Sequence, residues 1–109
     1  MERNMERYFA SKDPKEIYEI CFDFSYVLNK WERLLNKSTV VSAIDITDNS
    51  DVTNEILDPP RQRITRKKIF LTVRGGVVGH SYRFSCEVIR TNKGTRLSPL
   101  TGIMKVEQL

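Results

Sequence analysis

The stretch from Leu71 to Val88 does most to limit what this chain can fold into. Leu71 and Val73 alternate with polar Thr72 and Arg74, and further on Tyr82, Phe84, Cys86 and Val88 alternate with Arg83, Ser85 and Glu87. Successive side chains of a strand point to opposite faces, so each half reads as a strand with one apolar and one polar face. Between them lie Gly75, Gly76 and Gly79. Glycine adopts positive φ without a steric penalty, so the segment predicts a reversing chain, a strand–turn–strand hairpin with at least one glycine in the left-handed region.

The same period recurs. From Ile17 to Tyr26, residues Tyr18, Ile20, Phe22, Phe24 and Tyr26 share one face, and Glu19, Cys21, Asp23 and Ser25 the other. Val40–Ile46 and a long run from Ile64 to Arg74 read as strands, as do Tyr82–Arg90, Thr95–Leu97 and Ile103–Val106. Asp48-Asn49-Ser50-Asp51 breaks the second of these, Asn54 to Gln62 reads as irregular around Pro59-Pro60, and Asn92-Lys93-Gly94 as a turn. At Asn29–Asn36 the period shifts: Trp31, Leu34 and Leu35 follow helical spacing behind a possible Asn29 cap, giving a short helical insertion near 29–36 or an ordered loop. Short strands separated by turns predict an all-β, antiparallel β-sandwich. Its expected core is Tyr18, Ile20, Phe22, Phe24, Leu71, Val73, Phe84 and Val88.

A chain of 109 residues, 39% hydrophobic and 29% charged, fits one globular domain with one core. The arm 1–10 is set apart from a domain at 11–109, and reads either as a frayed terminus or as an arm that orders on a neighbouring subunit. No apolar run approaches the roughly 20 residues of a membrane span, and the start lacks an apolar signal core, so the expectation is synthesis in a cytoplasm and no membrane partner. That reducing setting, with Cys21 and Cys86 on opposite strand faces, predicts free thiols.

Nothing in the pattern favours catalysis: no catalytic residue, metal ligand set or cofactor is expected. His80 is the only histidine and reads as an exposed polar residue in a turn. The glycine run lacks the Lys-Ser/Thr of a phosphate loop. Asp45, Asp48, Asn49, Ser50 and Asp51 lack the central glycine and terminal glutamate of a calcium loop, leaving a solvated acidic turn. The net charge of +4 permits nucleic acid as a partner without favouring it, because most aromatics fall on the expected core face. Arg61, Arg63, Arg66, Lys67 and Lys68 form the densest basic run, a solvated edge or a partner surface.

Three blocks resemble the phage fibre–tail adaptor family. Lys12-Asp13-Pro14-Lys15-Glu16-Ile17, followed by an alternating strand ending Asp23-Phe24-Ser25, is similar to that family's K-D-P opening and D-W-S close, with Phe24 in place of the tryptophan. Gly75-Gly76-Val77-Val78-Gly79-His80-Ser81-Tyr82 resembles its G-G-x-x-G-x-x-Y, and Thr91-Asn92-Lys93-Gly94 its T-x-x-G. The likeness spans residues 11–106 and departs from the family at 29–37 and 48–68. The resemblance implies an immunoglobulin-like sandwich that is no enzyme but a virion structural protein. Such a protein joins tail parts to fibres, and its expected partners are other tail or fibre proteins and copies of itself in a ring. Arm and insertion then become the expected contacts: Arg3, Met5, Arg7, Trp31 and Arg33, with the basic run after them. Gly75, Gly76, Gly79 and Tyr82 would be structural turn residues. The alternative is a small basic nucleic-acid-binding or regulatory protein.

Overall fold

The computed structural model describes residues 7–25, 40–57, 63–64, 67–87 and 100–108. Two sheets face each other. The larger is built from β1 (Arg7–Tyr8), β3 (Val40–Asp45), β4 (Ser50–Asp51), β7 (Ser81–Glu87) and β8 (Leu100–Lys105), in the order β1-β8-β7-β3-β4. The smaller has β2 (Tyr18–Asp23), β5 (Arg63–Ile64) and β6 (Lys68–Val73), in the order β2-β6-β5. All pairings are antiparallel except β1 on β8. A four-residue helix, α1 (Thr53–Ile56), sits between β4 and β5. The all-β sandwich read from strand patterning is therefore the fold. No helix among the described residues is long and apolar enough to cross a membrane.

Alternation explains the core. Ile20, Phe22, Ile69, Leu71 and Val73 point inward from the smaller sheet, and Ala43, Tyr82, Phe84, Cys86 and Met104 from the larger. Phe24 and Val106 extend that core beyond the strand ends, and Ile56 and Leu57 close one side. Tyr18 packs against the cluster only partly buried, because its hydroxyl reaches out to donate to the Ser11 carbonyl at 3.0 Å. Val88 lies outside the described residues, as do the helical insertion near 29–36, the turn at 92–94 and the strand 95–97.

Three expectations are corrected. The glycine segment is not a hairpin: β6 and β7 lie in different sheets, so residues 74–80 carry the chain across the core. Period-two alternation marks which face is buried and is the same whether two strands pair or oppose each other, which is why the pattern misled. The run 64–74 is two strands, β5 and β6, folded back on each other through Arg63↔Phe70 and Ile64↔Ile69. Helix α1 occupies part of the stretch read as irregular, where the Thr53 amide donates to Asp51 Oδ1 at 3.0 Å.

The arm is corrected at its C-terminal end. Arg7 and Tyr8 pair with Gly102 and Ile103, and the Phe9 amide donates to the Ile103 carbonyl at 2.8 Å. The Phe9 ring lies 5.8 Å from Phe22 and 6.5 Å from Phe84, both edge-on. Gly102 makes the room: a β-carbon there would collide with the Phe9 ring. Residues 7–10 thus belong to the sandwich, while 1–6 lie outside the described residues.

Candidate functional site

One end of the sandwich gathers the unusual chemistry. There β6 ends, residues 74–80 cross to β7, and the chain after β8 returns beside Lys12. Gly75, Gly76 and Gly79 have φ of 68°, 101° and 90°, so all three occupy the left-handed region, where the turn reading required at least one. Gly76 has a second constraint: a β-carbon on it would sit 2.7 Å from Val106 Cγ2.

Lys12 is fully buried. Its ammonium donates to the carbonyls of Gly75 at 2.6 Å, Asp13 at 2.9 Å and Pro14 at 3.4 Å. A buried charge is costly unless it is hydrogen-bonded, and three carbonyls use all three of its protons. Burial lowers its pKa, opposed by the nearby charges of Glu16 and Asp13. Its backbone bridges to Val106, with the Lys12 amide donating to Lys105 and the Glu107 amide to Lys12. Asp13 follows in a tight turn, its amide donating to Glu16 Oε1 and its own Oδ1 accepting from the Lys15 amide. The K-D-P block is thereby tied to the glycine block, 63 residues later in the chain. Tyr82, buried at the start of β7, accepts at its hydroxyl from the Val77 amide at 2.8 Å, fastening the crossing from its other side.

His80 is not a free surface residue. Its Nδ1 lies 2.6 Å from Asp45 Oδ2, and that carboxylate is almost wholly buried. Asp45 Oδ1 accepts from the Thr47 amide at 3.0 Å. Burial pushes the Asp45 carboxyl up, but hydrogen bonds from His80 and from the Thr47 and Asp48 backbone outweigh it and leave the group below its usual range. The acidic turn is solvated only in part: Asp48 and Asp51 are exposed, and Asp45 is core. Asp45, Asp48 and His80 bring three potential ligand atoms within 4.8 Å of one another. The His80–Asp45 bond accounts for two of the three groups without an ion. Beside them a cleft of about 260 Å³ is lined by Asp48, Glu55, Val77 and Tyr82 among others. The sequence kept His80 and Asp45 apart because they are 35 residues distant and only the β3–β7 pairing makes them neighbours.

The expected interface residues fall elsewhere. Arg7 is exposed on β1 and its Nη1 donates to the Cys21 carbonyl of β2 at 3.3 Å. Lys68 opens β6 opposite Asp23, with half-buried Lys67 just before it. Arg63 lies in β5. Arg3, Met5, Trp31, Arg33, Arg61 and Arg66 lie outside the described residues. The structure therefore draws Arg7 and Lys68 towards the outer side of β2, far along the strands from the glycine end. Both cysteines are free, Cys86 buried and Cys21 half-buried on that outer side. Burial pushes the Cys86 thiol up to about 12 and raises that of Cys21 as well.

Comparison with protein-family models, with curated proteins and with solved structures finds no match.

Proposed function

We propose that this chain is a non-enzymatic structural component of a phage virion, an adaptor that joins tail components to fibres. The observation that carries the reading is the meeting of two resemblance blocks in space: the Lys12 ammonium rests on the Gly75 carbonyl, and Tyr82 fastens the same crossing. Residues that match a family pattern would be expected to share a structural task, and here they share one end of the domain. Strand order supports the immunoglobulin-like part of the reading. The smaller sheet runs β2-β6-β5, as strands B, E and D do, and β3, β7 and β8 stand as C, F and G. Tyr82 also holds the position of a tyrosine corner, near the start of the F-like strand with its hydroxyl on backbone upstream.

Copies in a ring would present one face to the tail and another to a fibre. Electron microscopy of particles grown without this chain tests the reading. Complete tails without fibres are the expected result; particles with normal fibres would reject it. The nucleic-acid alternative makes an opposite demand on salt. Binding carried by phosphate contacts falls steeply as salt rises, whereas an adaptor interface with an apolar centre persists.

A further inference from the structure

We propose that the cleft between the β3–β4 turn, α1 and the glycine crossing is a docking pocket for an arginine side chain, presented by a basic segment of another protein. The proposal deepens the adaptor reading and rests on it only for that partner's place among the tail proteins. Residues 38–60 hold five acidic residues and no lysine or arginine, in a chain whose net charge is +4. Three of the five, Asp48, Asp51 and Glu55, are exposed. Two of them take hydrogen bonds only from their own segment: Ser50 Oγ donates to Asp48 Oδ1 at 2.6 Å, and Thr53 Oγ1 to Asp51 Oδ1 at 2.7 Å. No lysine or arginine pairs with any of the three among the described residues. Charges of one sign gathered in a cleft draw in a partner of the other sign. Most of this chain's own described cations are already engaged: Lys67, Lys68, Arg74 and Arg83 have partners, Lys105 pairs with Glu107, and Lys12 is buried. The occupant is therefore sought on another protein.

The cleft selects among cations. Asp48 and Glu55 line a space of about 260 Å³. One water takes roughly 30 Å³, so this space suits a side chain better than a bare ion. Asp45 lines it too, but His80 and the Thr47 amide engage its two oxygens. Val52, Ile56 and Val77 supply apolar wall. The methylenes of an arginine can lie along that wall, and its planar guanidinium can reach two carboxylates at once. Tyr82 makes a further demand. It is 2% exposed and lines the same cleft. Its hydroxyl accepts from the Val77 amide, and its own proton has no acceptor among the described residues. Burial raises its pKa, and the charges of Asp45, Asp48 and Glu55 add to the rise, so the hydroxyl lies on the carboxylate side of its ring. A buried donor is costly to leave unpaired. A backbone carbonyl of the incoming segment meets that need, which neither a metal ion nor a free guanidinium can do.

Nuclear magnetic resonance on the isotope-labelled chain tests this. The probe is the blocked tripeptide acetyl-Ala-Arg-Ala-amide, and the control is the same peptide with neutral citrulline in place of arginine. Saturating amide shifts confined to residues 48–56 and 76–82, and seen with the arginine peptide only, are the expected result. Asp48→Asn and Glu55→Gln keep the shape of each side chain. Each should weaken binding about threefold, and the two together should abolish the shifts. Four outcomes overturn the proposal. The arginine peptide gives no saturating shift, or the citrulline peptide binds as well. Calcium or zinc ions give the same shifts at lower concentration, which would make the cleft a metal site. The chain self-associates through Asp48 and Glu55, which would make the occupant a second copy. Binding is read on the free chain, so it can fail while the chain is still found in particles, and it can stand if the adaptor reading fails.

Discussion

Lys12 carries a charge into the interior and satisfies three carbonyls there. Lys12→Met keeps the bulk and removes the donors, leaving the Gly75 carbonyl without its ammonium. The expected loss is about 1–3 kcal/mol of unfolding free energy, read as a lower urea midpoint. Nothing in the local sequence distinguished this lysine from Lys15, three positions on and exposed, because its partner lies in a distant loop. The glycines were more legible, since positive φ is a local demand, and all three meet it. Acid should expose the carboxylates. Asp23, Asp45 and Asp51 are all held below their usual range, Asp51 by the amide and hydroxyl of Thr53. A carboxyl with a lowered folded-state pKa stabilises above its unfolded value and loses that contribution as pH falls through the folded one. Stability should therefore be level near neutrality and fall once the pH drops below about 4. Asp45→Asn should lower stability at neutral pH and shrink that fall; urea melts of both proteins across the acid range check it. The thiols give a kinetic readout. Iodoacetamide should label Cys21 slowly and Cys86 only on unfolding, because burial disfavours both thiolates and encloses Cys86.

Strands rather than single residues carry the next corrections. Alternation located β2, β3 and β7 to within a few residues and chose the inner faces of β2, β6 and β7 correctly, but it did not assign strands to sheets. For that reason the same alternation reads as a hairpin where the chain crosses between sheets. Strand β1 escaped notice because two residues carry no period, and its hold comes from Phe9 filling the space over Gly102. Removing residues 1–10 should thus lower the melting temperature. Phe9→Ala alone should cost about 2 kcal/mol, the worth of a partly buried aromatic. Gly102→Ala should be destabilising in the parent and better tolerated beside Phe9→Ala, because the collision disappears with the ring. A double-mutant cycle reads that coupling directly.

At the scale of the whole molecule, two sheets share a core whose centre is aromatic and aliphatic, and both Phe22 and Phe84 are fully buried in it. Phe22→Ala or Phe84→Ala should each cost about 3–5 kcal/mol, measured by chemical unfolding. The domain's two ends differ. The glycine end is fastened by Lys12, Tyr82 and the His80–Asp45 pair, while further along the strands Arg7 reaches the Cys21 carbonyl on the outer side of β2. The K-D-P and glycine blocks were visible in the sequence as motifs, yet their common purpose was not, since proximity across 63 residues belongs to topology. The adaptor reading is tested most directly by mass spectrometry of purified phage particles. The expected result is this chain at a fixed ratio to the tail proteins, retained after nuclease and high-salt washing. Its absence from otherwise complete particles would contradict the account.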